Sequence, residues 1–202
     1  HVLRRRQRQM CIRDSCMVLL FGTATGFAND GALDPTFGIG GLVTTNFPRT
    51  SGNDIGNAVT IRQSDGKIIV VGRTNGAQTD FALARYNVDG SLDISFGLGG
   101  RATTDFNGGF DYARDVAIQN DGKIVVVGSS QAASGTGDET DFAMVRYNSD
   151  GSLDNSFGVG GRVLTDFSNL SDRAYAVAIQ SDGKIVAAGD CLLYTSDAAD
   201  DE

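Results

Sequence analysis

Between Asn29 and Asp190 the chain alternates short apolar runs with clusters of Gly, Asp, Asn and Ser. Lys67–Gly72 (KIIVVG) and Lys123–Gly128 (KIVVVG) are continuous runs of β-branched residues, which predicts strands covered on both faces. Ahead of them, AVTIR, DVAIQ and AVAIQ alternate in polarity and lead into Ser/Asn-Asp-Gly. Gly there supplies a positive φ, so the pattern predicts a two-residue β-hairpin turn in every unit. DFALARYN, from Asp80, places Phe81, Leu83 and Arg85 on one face of a strand and Ala82, Ala84 and Tyr86 on the other; DFAMVRYN, from Asp141, repeats it. The small residues suit a closely approaching neighbouring sheet. A further strand is expected over Leu42–Phe47, with copies starting at Arg101 and Arg162. No stretch carries a helical period with caps.

These elements recur. NDGALDPTFGIGGLVTTNF from Asn29 returns as VDGSLDISFGLGGRATTDF from Val88 and SDGSLDNSFGVGGRVLTDF from Ser149, a spacing of 59 and then 61 residues. The DGK turns fall at Asp65, Asp121 and Asp182. About four antiparallel strands in every unit of roughly 60 residues predict an all-β fold of β-propeller type. The chain then holds nearly three blades of an incomplete propeller. A β-helix needs a shorter period, and a β-sandwich leaves the repetition unexplained. The motifs AVAIQSDGKIV, DFAxxRYNxDGSLD and SFGxGG closely resemble the delta-60 repeat, a tandem repeat of large exported bacterial proteins assigned to a β-propeller family of unknown function. The resemblance covers nearly all of residues 29–190. The first unit departs from it with Pro35 and Asn46.

The ends read differently. Arg5–Ser15, RRQRQMCIRDS, resembles the in-frame translation of a transposase-type sequencing adapter, and Cys191–Asp200, CLLYTSDAAD, resembles that of its reverse complement. Residues 1–15 and 191–202 are therefore read as adapter-derived and set aside. MVLLFGTATGFA, from Met17, reads as the back half of a secretory signal, with 16–28 as its remnant; the competing expectation is a first β-strand. The resemblance and this leader together imply a secreted or cell-surface bacterial protein, with no membrane span in the mature chain.

Composition, 41% hydrophobic and 21% charged with 27 Gly and 2 Pro, is that of a soluble globular chain. With the ends set aside no His remains and Cys16 is the single Cys, which leaves no Cys/His zinc site, internal disulfide or His-dependent triad. A net charge of -8 argues against nucleic acid, and SFGLGG and SFGVGG lack the Lys-Ser/Thr of a phosphate loop. Phe37, Phe96 and Phe157 are expected to plug the apolar layer while the glycines beside them turn the chain from blade to blade.

Nineteen Asp against a single Glu, Glu139, between Cys16 and Asp190 point to turn chemistry, because Asp reaches its own backbone two residues on and Glu is too long. Lys67, Lys123 and Lys184, in the DGK turns, read as structural. Asn87, Asp89 and Asp93, copied as Asn148, Asp150 and Asp154, partly follow a calcium-loop spacing. Arg85 or Arg146 stands where the first acid belongs and no distal Glu follows, so the preferred reading is an Asx-stabilised turn between blades. Arg85 and Arg146 are expected to pair with Asp80 and Asp141 or with a turn carboxylate of an adjacent blade; the alternative is a channel lining for anions. The irregular segment Ser129–Thr140 is the favoured place for a site. The expected function is a non-catalytic scaffold or binding module, part of a larger propeller, with no cofactor and no catalytic residue in 29–190. Its partner would be a protein, glycan or surface polymer, and the isolated chain is expected to self-associate. The rivals are a calcium-stabilised adhesion module and a piece of a hydrolase or lyase whose catalytic residues lie elsewhere.

Overall fold

The computed structural model describes residues 16–19, 32–48, 53–75, 78–131, 139–167 and 170–192. Twelve strands appear among them: β1 (Cys16–Leu19), β2 (Leu42–Thr45), β3 (Ile55–Ile61), β4 (Ile68–Asn75), β5 (Thr79–Tyr86), β6 (Arg101–Thr104), β7 (Asp111–Ile118), β8 (Ile124–Ser130), β9 (Asp141–Tyr147), β10 (Arg162–Thr165), β11 (Asp172–Ile179) and β12 (Ile185–Cys191). Two four-stranded antiparallel sheets, β3-β4-β5-β6 and β7-β8-β9-β10, are joined by the pairs β1-β2 and β11-β12. No helix long and apolar enough to cross a membrane occurs among the described residues. Of the expected leader, Cys16–Leu19 form β1, opposite β2 with Cys16 facing Thr45; residues 20–31 lie outside the described residues. Of the two ends set aside, 1–15 and 193–202 lie outside them too, while Cys191 closes β12 opposite Asp172.

The two-faced pattern of the third strand accounts for the packing. Phe81 and Leu83, with Ile69 and Val71 of β4, join Ala113, Val116, Val126 and Val145 of the next sheet in one buried cluster. Ala82, Ala84 and Tyr86, with Ile68 and Val70, pack against Phe37 and Phe47 of the preceding segment in the other. Each central strand is therefore apolar on both faces, and full burial of one such side chain contributes about 1.5–3 kcal/mol. Blades are held together through this layering.

The turns and boundaries differ from the sequence expectation. The hairpin turns are longer than two residues: Gln119 N–H donates to the Lys123 carbonyl at 2.8 Å across Asn120, Asp121 and Gly122, and the first unit carries one more residue, with Arg62 N–H bonded to the Lys67 carbonyl. Gly122 does adopt positive φ, 84°. A β-bulge also interrupts the first strand of each sheet, β3, β7 and β11, between Gly56 and Ala58, Ala113 and Asp115, and Ala174 and Ala176. The bulge presses its carbonyl on the facing strand, which explains the glycine that ends KIIVVG and its copies: a methyl at Gly72, Gly128 or Gly189 would be driven into the carbonyl oxygen of Ile55, Tyr112 or Arg173. The Asn-x-Asp-Gly and Phe-Gly segments do not carry the chain between blades. They connect the third strand to the fourth inside one blade, and the passage between blades is the stretch that follows Phe106.

Candidate functional site

Three repeated contacts dock one blade on the next. Gly38 N–H donates to the Asp89 carbonyl at 2.8 Å and Gly97 N–H to the Asp150 carbonyl at 2.7 Å. Tyr86 Oη donates to Thr45 Oγ1 at 2.8 Å, and Tyr147 and Thr104 share the equivalent bond at 2.6 Å. Beneath them Phe37 and Phe96 are buried, as expected of plugs; Phe157 is half-buried. Gly90 (φ 83°) and Gly151 (φ 89°) lie directly on these rings.

The six residues of the possible calcium turn do separate work. Asp89 Oδ1 accepts from Ser91 N–H and Oγ at 2.8 and 2.6 Å, and Asn87 Nδ2 donates to Ser91 Oγ at 2.9 Å. Asp150, Ser152 and Asn148 repeat this closely. These are Asx turns, and the Ser91 and Ser152 hydroxyls hold Asp89 and Asp150 below the usual carboxylate range. Asp93 faces elsewhere: its Oδ2 receives Lys67 Nζ at 2.5 Å and Arg85 Nε at 2.7 Å, and its Oδ1 receives Ser95 Oγ at 2.7 Å. Asp154 is held in the same way by Lys123, Arg146 and Ser156.

Arg85 and Arg146 thus bond the turn carboxylate of their own blade, eight residues on, and not the strand-start Asp80 or Asp141 or a carboxylate of the adjacent blade. The reason is geometric: the turn after the third strand folds back over it, with Asp93 N–H on the Arg85 carbonyl. The guanidinium stacks on Phe96 at 4.5 Å and also donates to the Ser149 carbonyl of the next blade. Arg146 stacks on Phe157 at 4.4 Å. Of Ser129–Thr140, Ser129 and Ser130 end β8 and 132–138 lie outside the described residues.

A second cluster went unmarked in the sequence. Asp80 at the start of β5, Asp105 after β6 and Asp111 at the start of β7 each place a carboxylate oxygen within 4.8 Å of the others, across the junction of two blades. Asp80 and Asp111 are buried and Asp105 is exposed. Asp111 Oδ2 accepts from Phe106 N–H at 2.8 Å, and Asp105 Oδ1 from Gly108 N–H at 2.6 Å. Burial pushes the Asp111 carboxyl up to about 6, with the neighbouring Asp105 and Asp80 adding to the rise and the Ser130 hydroxyl and Phe106 N–H opposing it. At the next junction burial raises Asp141, helped by Asp166, Asp172 and Glu139. Repetition itself was the available signal: TTDF and LTDF recur, as does an Asp at or just before the start of β3, β7 and β11.

Four-stranded antiparallel sheets stacked face to face and tied by the same bonds at successive junctions define a β-propeller-type repeat protein. Residues 63–96 and 119–157 match a family described as "Domain of unknown function (DUF5122) beta-propeller". No curated protein matches the chain.

Proposed function

We propose that this chain is a non-catalytic display scaffold: a run of delta-60-type blades from a larger, exported bacterial propeller protein that binds a protein, glycan or surface polymer through its non-repeated loops. One observation carries this reading. The prominent repeated polar side chains, Arg85, Asp93 and Lys67 with their copies Arg146, Asp154 and Lys123, are engaged with one another inside each blade. Residues tied up this way build a rigid frame, and specificity is left to the segments that differ between units.

The test is to immobilise the full chain and pass purified bacterial surface polysaccharides, peptidoglycan fragments and host glycans over it. Each captured polymer is then recovered and its mass compared with the input. Saturable binding with the polymer unchanged supports the scaffold. A shortened or eliminated product favours the hydrolase or lyase reading and overturns it, and no binding across the panel also counts against it.

A further inference from the structure

The junction between β5–β6 and β7 has an arrangement that blade packing alone does not account for. Three carboxylates converge there, two of them buried, although gathering like charges away from water is costly. Neither the Lys67–Asp93–Arg85 group nor its copy includes any of them. Asp111 Oδ1 accepts no hydrogen bond even though its residue is 0% exposed. Ser130, 1% exposed and directly across from Asp111 in the β7–β8 ladder, has a hydroxyl that lies beside this carboxylate yet completes no hydrogen bond of ordinary geometry. Buried polar atoms without partners call for an explanation, and an ion seated among them is one.

We propose that Asp80, Asp105 and Asp111, with the Ser130 hydroxyl, bind a calcium ion that cross-links adjacent blades. The donors are all oxygen, as a hard cation requires. Oxygens on opposite sides of a calcium ion with bonds of about 2.3–2.6 Å stand up to about 5 Å apart, and the separations here fit within that. Three formal negative charges exceed those of the divalent ion, and Asp105, at the surface, gives it a route in. The site is distinct from the Asn87–Asp89–Asp93 turn, whose carboxylates already have their own partners. The equivalent positions Asp141, Asp166 and Asp172 of the second junction hold the same residue type, and Asp172 Oδ1 also accepts no hydrogen bond, but their carboxylates do not converge as closely as those of Asp80, Asp105 and Asp111.

The test is calorimetric titration of the EGTA-stripped full chain with CaCl₂, carried out in an Asp166→Asn background so that the second junction does not contribute. Saturable binding is expected below about 1 mM, in the range of extracellular calcium modules. Adding Asp105→Asn, which keeps an acceptor for Gly108 N–H, should weaken binding at least tenfold with an unchanged circular dichroism spectrum. Ser130→Ala, which tests the buried hydroxyl, should weaken it less. Absence of saturable heat up to about 10 mM calcium overturns the proposal. So does full retention of binding in the Asp105→Asn protein, which would put the ion elsewhere, and an Asp89→Asn, Asp150→Asn protein that loses binding would place it in the Asx turns. The outcome does not depend on which polymer the loops recognise, so failure of the scaffold reading leaves this test intact.

Discussion

The backbone N–H of Gly97 donates to the carbonyl oxygen of Asp150, 2.7 Å away in the following blade. Gly151, next to that carbonyl, takes φ 89°, and a methyl on it would strike Gly97 N and the Phe96 ring. Gly99 also has positive φ, 58°, but has open space where a methyl would go. Alanine at either position takes the left-handed backbone penalty of about 1–2 kcal/mol. Only Gly151→Ala also pries the blades apart, and it should cost a further roughly 1–3 kcal/mol, a typical overpacking penalty. Urea unfolding of the two variants reads the difference, and equal midpoints would mean that this joint contributes little to stability.

The Asp93 cluster gives a second prediction. Arg85 is nearly buried, so Asp93→Ala leaves a desolvated guanidinium without its carboxylate and should destabilise by about 3–5 kcal/mol. Lys67 is more exposed, and Lys67→Met should cost about 1 kcal/mol or less. Comparable losses from Asp93→Ala and Lys67→Met would show that Arg85 does not depend on this carboxylate.

The same carboxylate sets a pH dependence. Burial alone would raise Asp93, but Lys67, Ser95 and Arg85 outweigh it and hold the group well below the usual carboxylate range. A folded value below the unfolded one, about 3.9, means that the unfolded chain binds the proton first as pH falls. The stabilisation is complete above about pH 5 and is lost as pH drops through 4 toward the folded value. The stability difference between the parent chain and Asp93→Asn should therefore be flat from pH 7 to about 5 and shrink below that. Urea titrations at each pH check it, and a difference that grows on acidification would reverse the assigned sign.

Much of this frame is legible in the residues. Alternation in DFALARYN puts Phe81 and Leu83 against the next blade and Ala82, Ala84 and Tyr86 against the previous segment, because a strand's side chains have a period of two whatever surrounds it. The bulges are not legible, since nothing in Gly56–Ala58 or Ala113–Asp115 marks an extra residue; only Gly72 and Gly128, which lie under the bulge carbonyls, hint at one. The partner of Arg85 depends on how far the following turn folds back, which composition does not encode. The Asp80, Asp105 and Asp111 group stayed hidden because its members come from two blades and are each, alone, ordinary turn or strand-start aspartates.

The hairpin β11–β12 leads to the last prediction. Its sequence closely parallels that of β7–β8, yet β8 is buried along its whole length while β12 is largely exposed. Val186 is 46% exposed and Leu192 57%, and among the described strands β12 pairs only with β11. An apolar sheet with a free edge is a template for a second chain. The 202-residue chain should therefore self-associate over the micromolar range, with a weight-average sedimentation coefficient that rises with concentration. Val186→Lys on that sheet should lower the association, since a charged side chain blunts both the face and the edge. Val59, 60% exposed on the edge strand β3, supplies a comparison on a different sheet, and Val59→Lys should matter less because the central strands of that sheet are packed on both faces. A sedimentation coefficient independent of concentration, or equal effects from the two lysines, would show that the β11–β12 sheet is not the associating surface.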